Sequence, residues 1–152
     1  MFRLYSKGCE YAIRALVHMA PHGGITRFQA KHVCEKAGIP ESFTRKIFQS
    51  LVNGGFLHAV RGPGGGYALT QVPENITLFE VILAVDGSDT FAGCILGLDQ
   101  CDSEQPCPLH KTWSEGKEML IETLESKTLA DLIATTRERL NSETIPSEQL
   151  DN

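Results

Sequence analysis

No run of about 18 apolar residues occurs anywhere in the 152-residue chain, so the sequence offers no membrane-spanning helix. The first residues, Met1 to Cys9, lack the apolar stretch of a signal peptide, and a cytoplasmic location is expected. There is no internal repeat and no low-complexity segment. No Ser/His/Asp arrangement or paired-carboxylate pattern stands out, which argues against an enzyme. Acids are scarce at the front: residues 1–72 hold three against nine Lys and Arg, a net +6. The remaining 80 residues reverse this, with sixteen acids against five Lys and Arg, a net −11. Only the first half is therefore suited to meet a polyanion, although the whole chain carries −5. Cysteine is neither rare nor paired off: there are five, an odd number. A reducing compartment disfavours structural disulfides, which turns attention to metal or redox chemistry.

Three of the five cysteines fall within fourteen residues, Cys94, Cys101 and Cys107, and His110 follows the third. Gly97, Pro106 and Pro108 keep most of this run out of regular helix or strand. A loop that buries no core yet carries three thiols and an imidazole reads as a metal or iron–sulfur site. The competing reading is a set of incidental free thiols. Structural zinc and a reversible disulfide switch also fit these residue types.

Around this loop the chain is patterned for helices. Ser6 precedes an apolar stripe at Cys9, Ala12, Ile13, Leu16, Val17 and Ala20, ending before Pro21. Gly23–Gly24 marks a turn. Ala30, Val33, Cys34 and Ala37 form a second stripe stopped by Gly38, with Cys34 as a small core residue. A third helix runs from Ser42 to about Asn53, burying Phe43, Ile47, Phe48 and Leu51 and presenting Ser42, Arg45, Lys46 and Gln49 outward. Helix, glycine turn, helix is the helix-turn-helix order, whose second helix enters the major groove; an ordinary helical hairpin is the alternative. Phe56–Val60 and Tyr67–Leu69 read as two strands around the tip Arg61-Gly62-Pro63-Gly64-Gly65-Gly66, a hairpin in the place of a wing. Arg61 suits a narrow minor groove or a phosphate, and His58 a phosphate. The glycine run lacks the Lys-Ser/Thr ending of a nucleotide-binding loop. Thr77 and Glu80 form a capping box for a fourth helix that ends at Gly87. From Leu109 a longer amphipathic pattern through Trp113, Leu120 and Leu124 exposes more apolar surface than a small domain covers, so a second copy is expected to pair with it. Thr128–Asp131 opens a last helix through Leu132, Ile133 and Leu140. Cys9 reads as a core thiol, His18, His22 and His32 as solvated or capping residues, and Trp113 as packing.

Together, Gly38-Ile39-Pro40, the wing Val60 to Tyr67, Ile76-Thr77-Leu78 and the triple-cysteine loop resemble the Rrf-two family of bacterial winged-helix transcription regulators, over roughly residues 1–140. The resemblance implies a mainly α fold with a small β-hairpin wing. It divides the chain into a DNA-binding domain (1–87), a cluster-binding loop (88–110), dimerisation helices (111–141) and a polar tail expected to be disordered (142–152). It further implies a homodimeric repressor on a palindromic double-stranded DNA operator, with neither a membrane nor a small-molecule substrate as partner. Base contacts would come from Ser42, Arg45 and Lys46 beside Gln49, and wing contacts from His58, Arg61, Gly64 and Gly65. An iron–sulfur cluster, 2Fe–2S rather than 4Fe–4S, would sit on Cys94, Cys101 and Cys107. The fourth ligand stays open between His110 and Glu10, whose place in other members supplies a carboxylate from the partner subunit. Two departures stand out. Six residues rather than five separate the first two cysteines, and Arg45 replaces an acid, which implies a different operator.

Overall fold

The computed structural model describes residues 4–22, 26–99 and 101–143. Most of the tail 142–152 and the Gly23–Gly24 turn lie outside these residues. Six helices and one two-stranded antiparallel sheet follow in the order α1 (Lys7–Met19), α2 (Ala30–Ala37), α3 (Glu41–Asn53), β1 (Leu57–Val60), β2 (Gly66–Leu69), α4 (Leu78–Asp86), α5 (His110–Ser126) and α6 (Leu129–Glu143). This is a mainly α fold with a β-hairpin wing.

Local chemistry explains most boundaries. Ser6 caps α1, its hydroxyl accepting from the Cys9 amide at 3.1 Å. Gly38, at φ 65°, takes the left-handed conformation that ends α2 and turns the chain into α3. The two strands pair from Leu57 opposite Leu69 to Val60 opposite Gly66. The expected box on α4 is present, with Thr77 and Glu80 bonding each other's backbone amides. Thr128 and Asp131 repeat it at α6, at 2.8 and 3.3 Å.

One core holds the N-terminal helices, the wing and the last helix together. Leu16, Met19, Val33, Ile47, Phe48, Leu51, Leu57, Ile76, Val81 and Leu129 are all but sealed from solvent within it. Each large aliphatic side chain so buried contributes about 1.5–3 kcal/mol against the entropy of ordering it. Phe48 lies against Tyr67 at 4.8 Å between ring centres, fixing the wing on α3. The resemblance groups the last helix with the dimerisation helices (111–141). Here Leu129 and Ile133 join the same core as α1 to α3. A backbone bridge between Thr77 and Thr128 secures that return, with Leu78 N–H donating to Lys127 and Leu129 N–H to Ile76.

Helix α5 is different: none of its residues is buried, and Met119 is 69% exposed. Only Ile121 and Leu124 lean on a second, smaller cluster made of Cys9, Ile82 and Phe91.

Candidate nucleic-acid interface and cysteine loop

Burying Ile47, Phe48 and Leu51 leaves Ser42, Arg45, Lys46 and Gln49 exposed on the opposite face of α3. Arg45 and Gln49 border a cleft completed by Asn53 and by Ala59 and Tyr67 of the wing. His58, Arg61 and Gly64 are exposed on the hairpin. Gly65 differs. It is buried, its amide donates to Gly62 and its carbonyl accepts from the Gln29 side chain at 2.6 Å. A Cβ there would come within 2.2 Å of the Val60 carbonyl oxygen, so Gly65 serves the shape of the tip.

The bracing of the wing from outside was not read from the sequence. Phe28 exchanges backbone hydrogen bonds with Tyr67, both at 2.8 Å, and adds a third edge to the hairpin. Gly66 permits this, because a Cβ would fall 2.5 Å from the Phe28 oxygen. Arg27 Nη1 donates to the Gly64 carbonyl at 3.4 Å, next to the tip. These contacts join residues almost forty apart, and only the excess of Lys and Arg in the first half hinted at Arg27.

The cysteine loop leaves α4 through Gly87, at φ 85°, and re-enters helix at His110. Cys94, Cys101 and Cys107 are all partly exposed thiols. The four sequence-predicted donors come together as two pairs. The Cys94 and Cys107 sulfurs stand 3.7 Å apart, and the Cys101 sulfur lies 3.4 Å from His110 Nδ1. The His110 amide donates to the Cys107 carbonyl, which sets the start of α5 beside the third cysteine. Trp113 Nε1 donates to the Gly93 carbonyl at 3.0 Å, tying α5 to the loop's first residues. Backbone amides of Leu96, then Leu98 and Gly97, with the Cys107 thiol, hold the Cys94 thiol below its ordinary pKa against a partial burial that opposes them.

The other candidates behave otherwise. Cys9 is fully buried, and burial, helped by the Asp86 charge, pushes its thiol up to about 12, which makes it a neutral core group. Cys34 is buried in the main core, as expected. Glu10 is held on α1 between Lys7 and Arg14, each at 2.8 Å.

What the four donors could hold follows from their spacing. Two ligand atoms on one tetrahedral metal, at bonds of about 2.3 Å to sulfur and about 2.0–2.1 Å to nitrogen, lie about 3.5–3.8 Å apart. Each observed pair is close to that span. No set of three or more His, Cys, Asp or Glu side chains among the described residues gathers around one point. Each pair taken alone has the spacing of two ligands on one metal.

Comparison with known proteins agrees with this architecture. Residues 5–135 match the family profile described as Rrf2, an iron-dependent transcriptional regulator. The HTH-type transcriptional regulator IscR of Erwinia tasmaniensis is 34% identical over 131 residues, 86% of this chain and 78% of that protein. The same-named regulator of Photorhabdus laumondii is 34% identical over 131 residues, covering 86% and 79%. Among solved structures, CymR, the global cysteine regulator of B. subtilis, superposes with a TM-score of 0.73 at 21% identity over 89% of this chain and 98% of its own. T. potens IscR gives a TM-score of 0.68 at 23% identity, over 97% and 91%. The curated relatives are transcriptional regulators, not enzymes, as the sequence led one to expect.

Proposed function

Because this chain belongs to the Rrf2 family of transcriptional regulators, we propose that it is an IscR-like homodimeric DNA-binding regulator, a repressor whose grip on a palindromic operator responds to an iron–sulfur cluster held by its cysteine loop. Helix α3 enters the major groove, with Ser42, Arg45, Lys46 and Gln49 facing base edges and phosphates. The wing follows the backbone into the adjacent minor groove, where Arg61 and the exposed Gly64 backbone reach the phosphates and His58 lies alongside. Residues 1–87, with Leu129 and Ile133 completing their core, form the DNA-reading unit. Cys94 with Cys107, and Cys101 with His110, would supply the ligands of a 2Fe–2S cluster. Glu10 of the partner subunit is the alternative fourth ligand. Its two salt bridges within its own chain favour His110. When bound, such a cluster supplies a charge that changes with redox state, iron supply or nitric oxide.

The residues' own part is electrostatic and mechanical. Three cysteines in one loop resist sharing a small volume as thiolates unless a cation is present. Metal held by both pairs would tie Cys94, Cys101 and Cys107 to the start of α5 at His110 and hold the loop in one geometry. Helix α5, with no buried residue, and the exposed Ile95, Leu96, Leu98, Leu109 and Met119 supply the apolar surface for pairing with a second subunit. Loop order then sets the spacing of two recognition helices, which half-sites about one DNA turn apart demand.

The observation that carries the sensing half is the two-by-two arrangement of donors. Anaerobically purified protein should be brown, with iron and acid-labile sulfide near two each per chain. The His110→Ala variant should lose or shift the visible spectrum while Glu10→Ala keeps it. Colourless protein holding zinc would overturn the reading. The 3.7 Å approach of Cys94 and Cys107 favours a second reading, a cluster-free thiol switch. There a peroxide-class oxidant takes two electrons and both thiol protons as one disulfide forms. Metal-free protein with full, oxidant-sensitive operator binding would select it.

A further inference from the structure

The polar clasp between the end of α4 and the start of α1 has no role in either DNA reading or cluster ligation as described so far. Asp86 is the last residue of α4, and Gly87 after it opens the cysteine loop. Its carboxylate accepts two hydrogen bonds from Ser6, one from the amide at 2.6 Å and one from the hydroxyl. That hydroxyl in turn accepts from the Cys9 amide as the cap of α1. Carboxylate, hydroxyl and helix amide thus form one continuous relay. A second tie lies close by. Phe91, the loop's last buried aromatic residue before Cys94, stacks on Phe79 at 5.6 Å and packs with Cys9 and Ile82. The first turn of α1 is therefore held by the loop's entry through a charge on one side and an aromatic ring on the other.

What lies beyond the clasp makes it more than a cap. Ser6, Lys7, Gly8 and Asp86 share a cleft with Phe43, Lys46, Ile47 and Ser50 of α3. One turn further along, Tyr11 of α1 meets Phe43 of α3 edge-on with ring centres 4.9 Å apart, on the helix that carries Lys46 on its exposed face. Packed atoms and the two Ser6–Asp86 hydrogen bonds give a shift of the loop entry a continuous path to that contact.

We infer that Asp86 is a positioning residue that transmits the state of the cysteine loop to the recognition helix through Ser6 and the first turn of α1. The inference rests on the sensing reading above and adds its route. A role in stability alone would leave the cluster's effect on operator affinity untouched, and that difference is the test. Asp86→Asn keeps the shape and an accepting oxygen but removes the charge, and Ser6→Ala cuts the relay at its middle. For each variant and for the wild type, operator affinity is measured with the cluster loaded and after anaerobic removal, together with visible spectrum, iron content and oligomeric state. Wild type should show a ratio within about 5–150-fold, the usual span of allosteric coupling. Both variants should keep spectrum and iron while the ratio falls towards one. Ratios equal to wild type in both variants overturn the inference and leave cluster sensing standing. A wild-type ratio of one sinks the sensing reading and this route with it. Phe91→Ala is the second arm: combined with Asp86→Asn it should lower the ratio by less than the two single effects multiplied, as residues on one path do.

Discussion

Arg45 and Arg61 are both exposed basic residues on the surface proposed to meet DNA, yet they should fail differently when removed. In the proposed complex Arg61 meets the DNA backbone. Arg61→Ala should weaken operator and random DNA alike and reduce the slope of log affinity against log salt by about one. Arg45→Ala should cost about 1–3 kcal/mol at one base pair and relax preference there, measured against a panel of operator variants. The thiols offer a second contrast. In metal-free protein Cys94, partly exposed and held below its ordinary pKa, should be alkylated by iodoacetamide at near-neutral pH well before Cys9, which is sealed and raised to about 12. Mass spectrometry of partly labelled protein reads the order directly. These residue types were legible in the sequence, because a basic face and a cysteine run are local patterns. What each thiol would do was less so. The apolar stripe of α1 already marks Cys9 as a core thiol, but that the amides of Leu96 to Leu98 would lower the Cys94 thiol is seen only in the fold.

Among the elements, α6 carries its own pH dependence. The Thr128 amide and hydroxyl hold the Asp131 carboxyl below its usual range. An acid whose folded pKa is depressed adds stability above its unfolded value of 3.8, and that stability is lost as pH falls through the folded value. Acid titration of wild type should therefore show a loss of thermal stability below about pH 4 that Asp131→Asn lacks. The equivalent cap on α4 can be tested by substitution: Thr77→Ala should cost about 1 kcal/mol in urea unfolding, since it orphans the Glu80 amide. Both caps were visible as Thr-x-x-Glu and Thr-x-x-Asp, and α1 to α4 were framed by similar signals. The wing's third edge was not. Nothing in Arg27-Phe28-Gln29 marks a strand, and the segment is extended because Tyr67 offers it a partner. The destination of α6 was hidden for the same reason. An apolar stripe states that a face will be covered, but not whether the cover comes from the same chain.

At the scale of the molecule, a basic front and an acidic back are separated in sequence, and the exposed apolar side chains Ile95, Leu96, Leu98, Leu109 and Met119 lie in the back. Met119→Glu should shift the protein towards monomer in analytical ultracentrifugation, because it places a charge on the most exposed apolar residue of α5. Operator affinity should fall with it, while the thermal melting of the chain changes little. A variant that stays dimeric would move the subunit contact away from this face.

The bridge between Thr77 and Thr128 has a consequence for how such a chain can diversify. It brings the starts of α4 and α6 to one doorway, so that the chain from Leu78 to Lys127 is an excursion that begins and ends at neighbouring points of the scaffold. Loop closure changes slowly with length once the ends are pinned. The cysteine loop inside it can therefore be lengthened or shortened at little cost in loop closure, and the extra residue between the first two cysteines is one such edit.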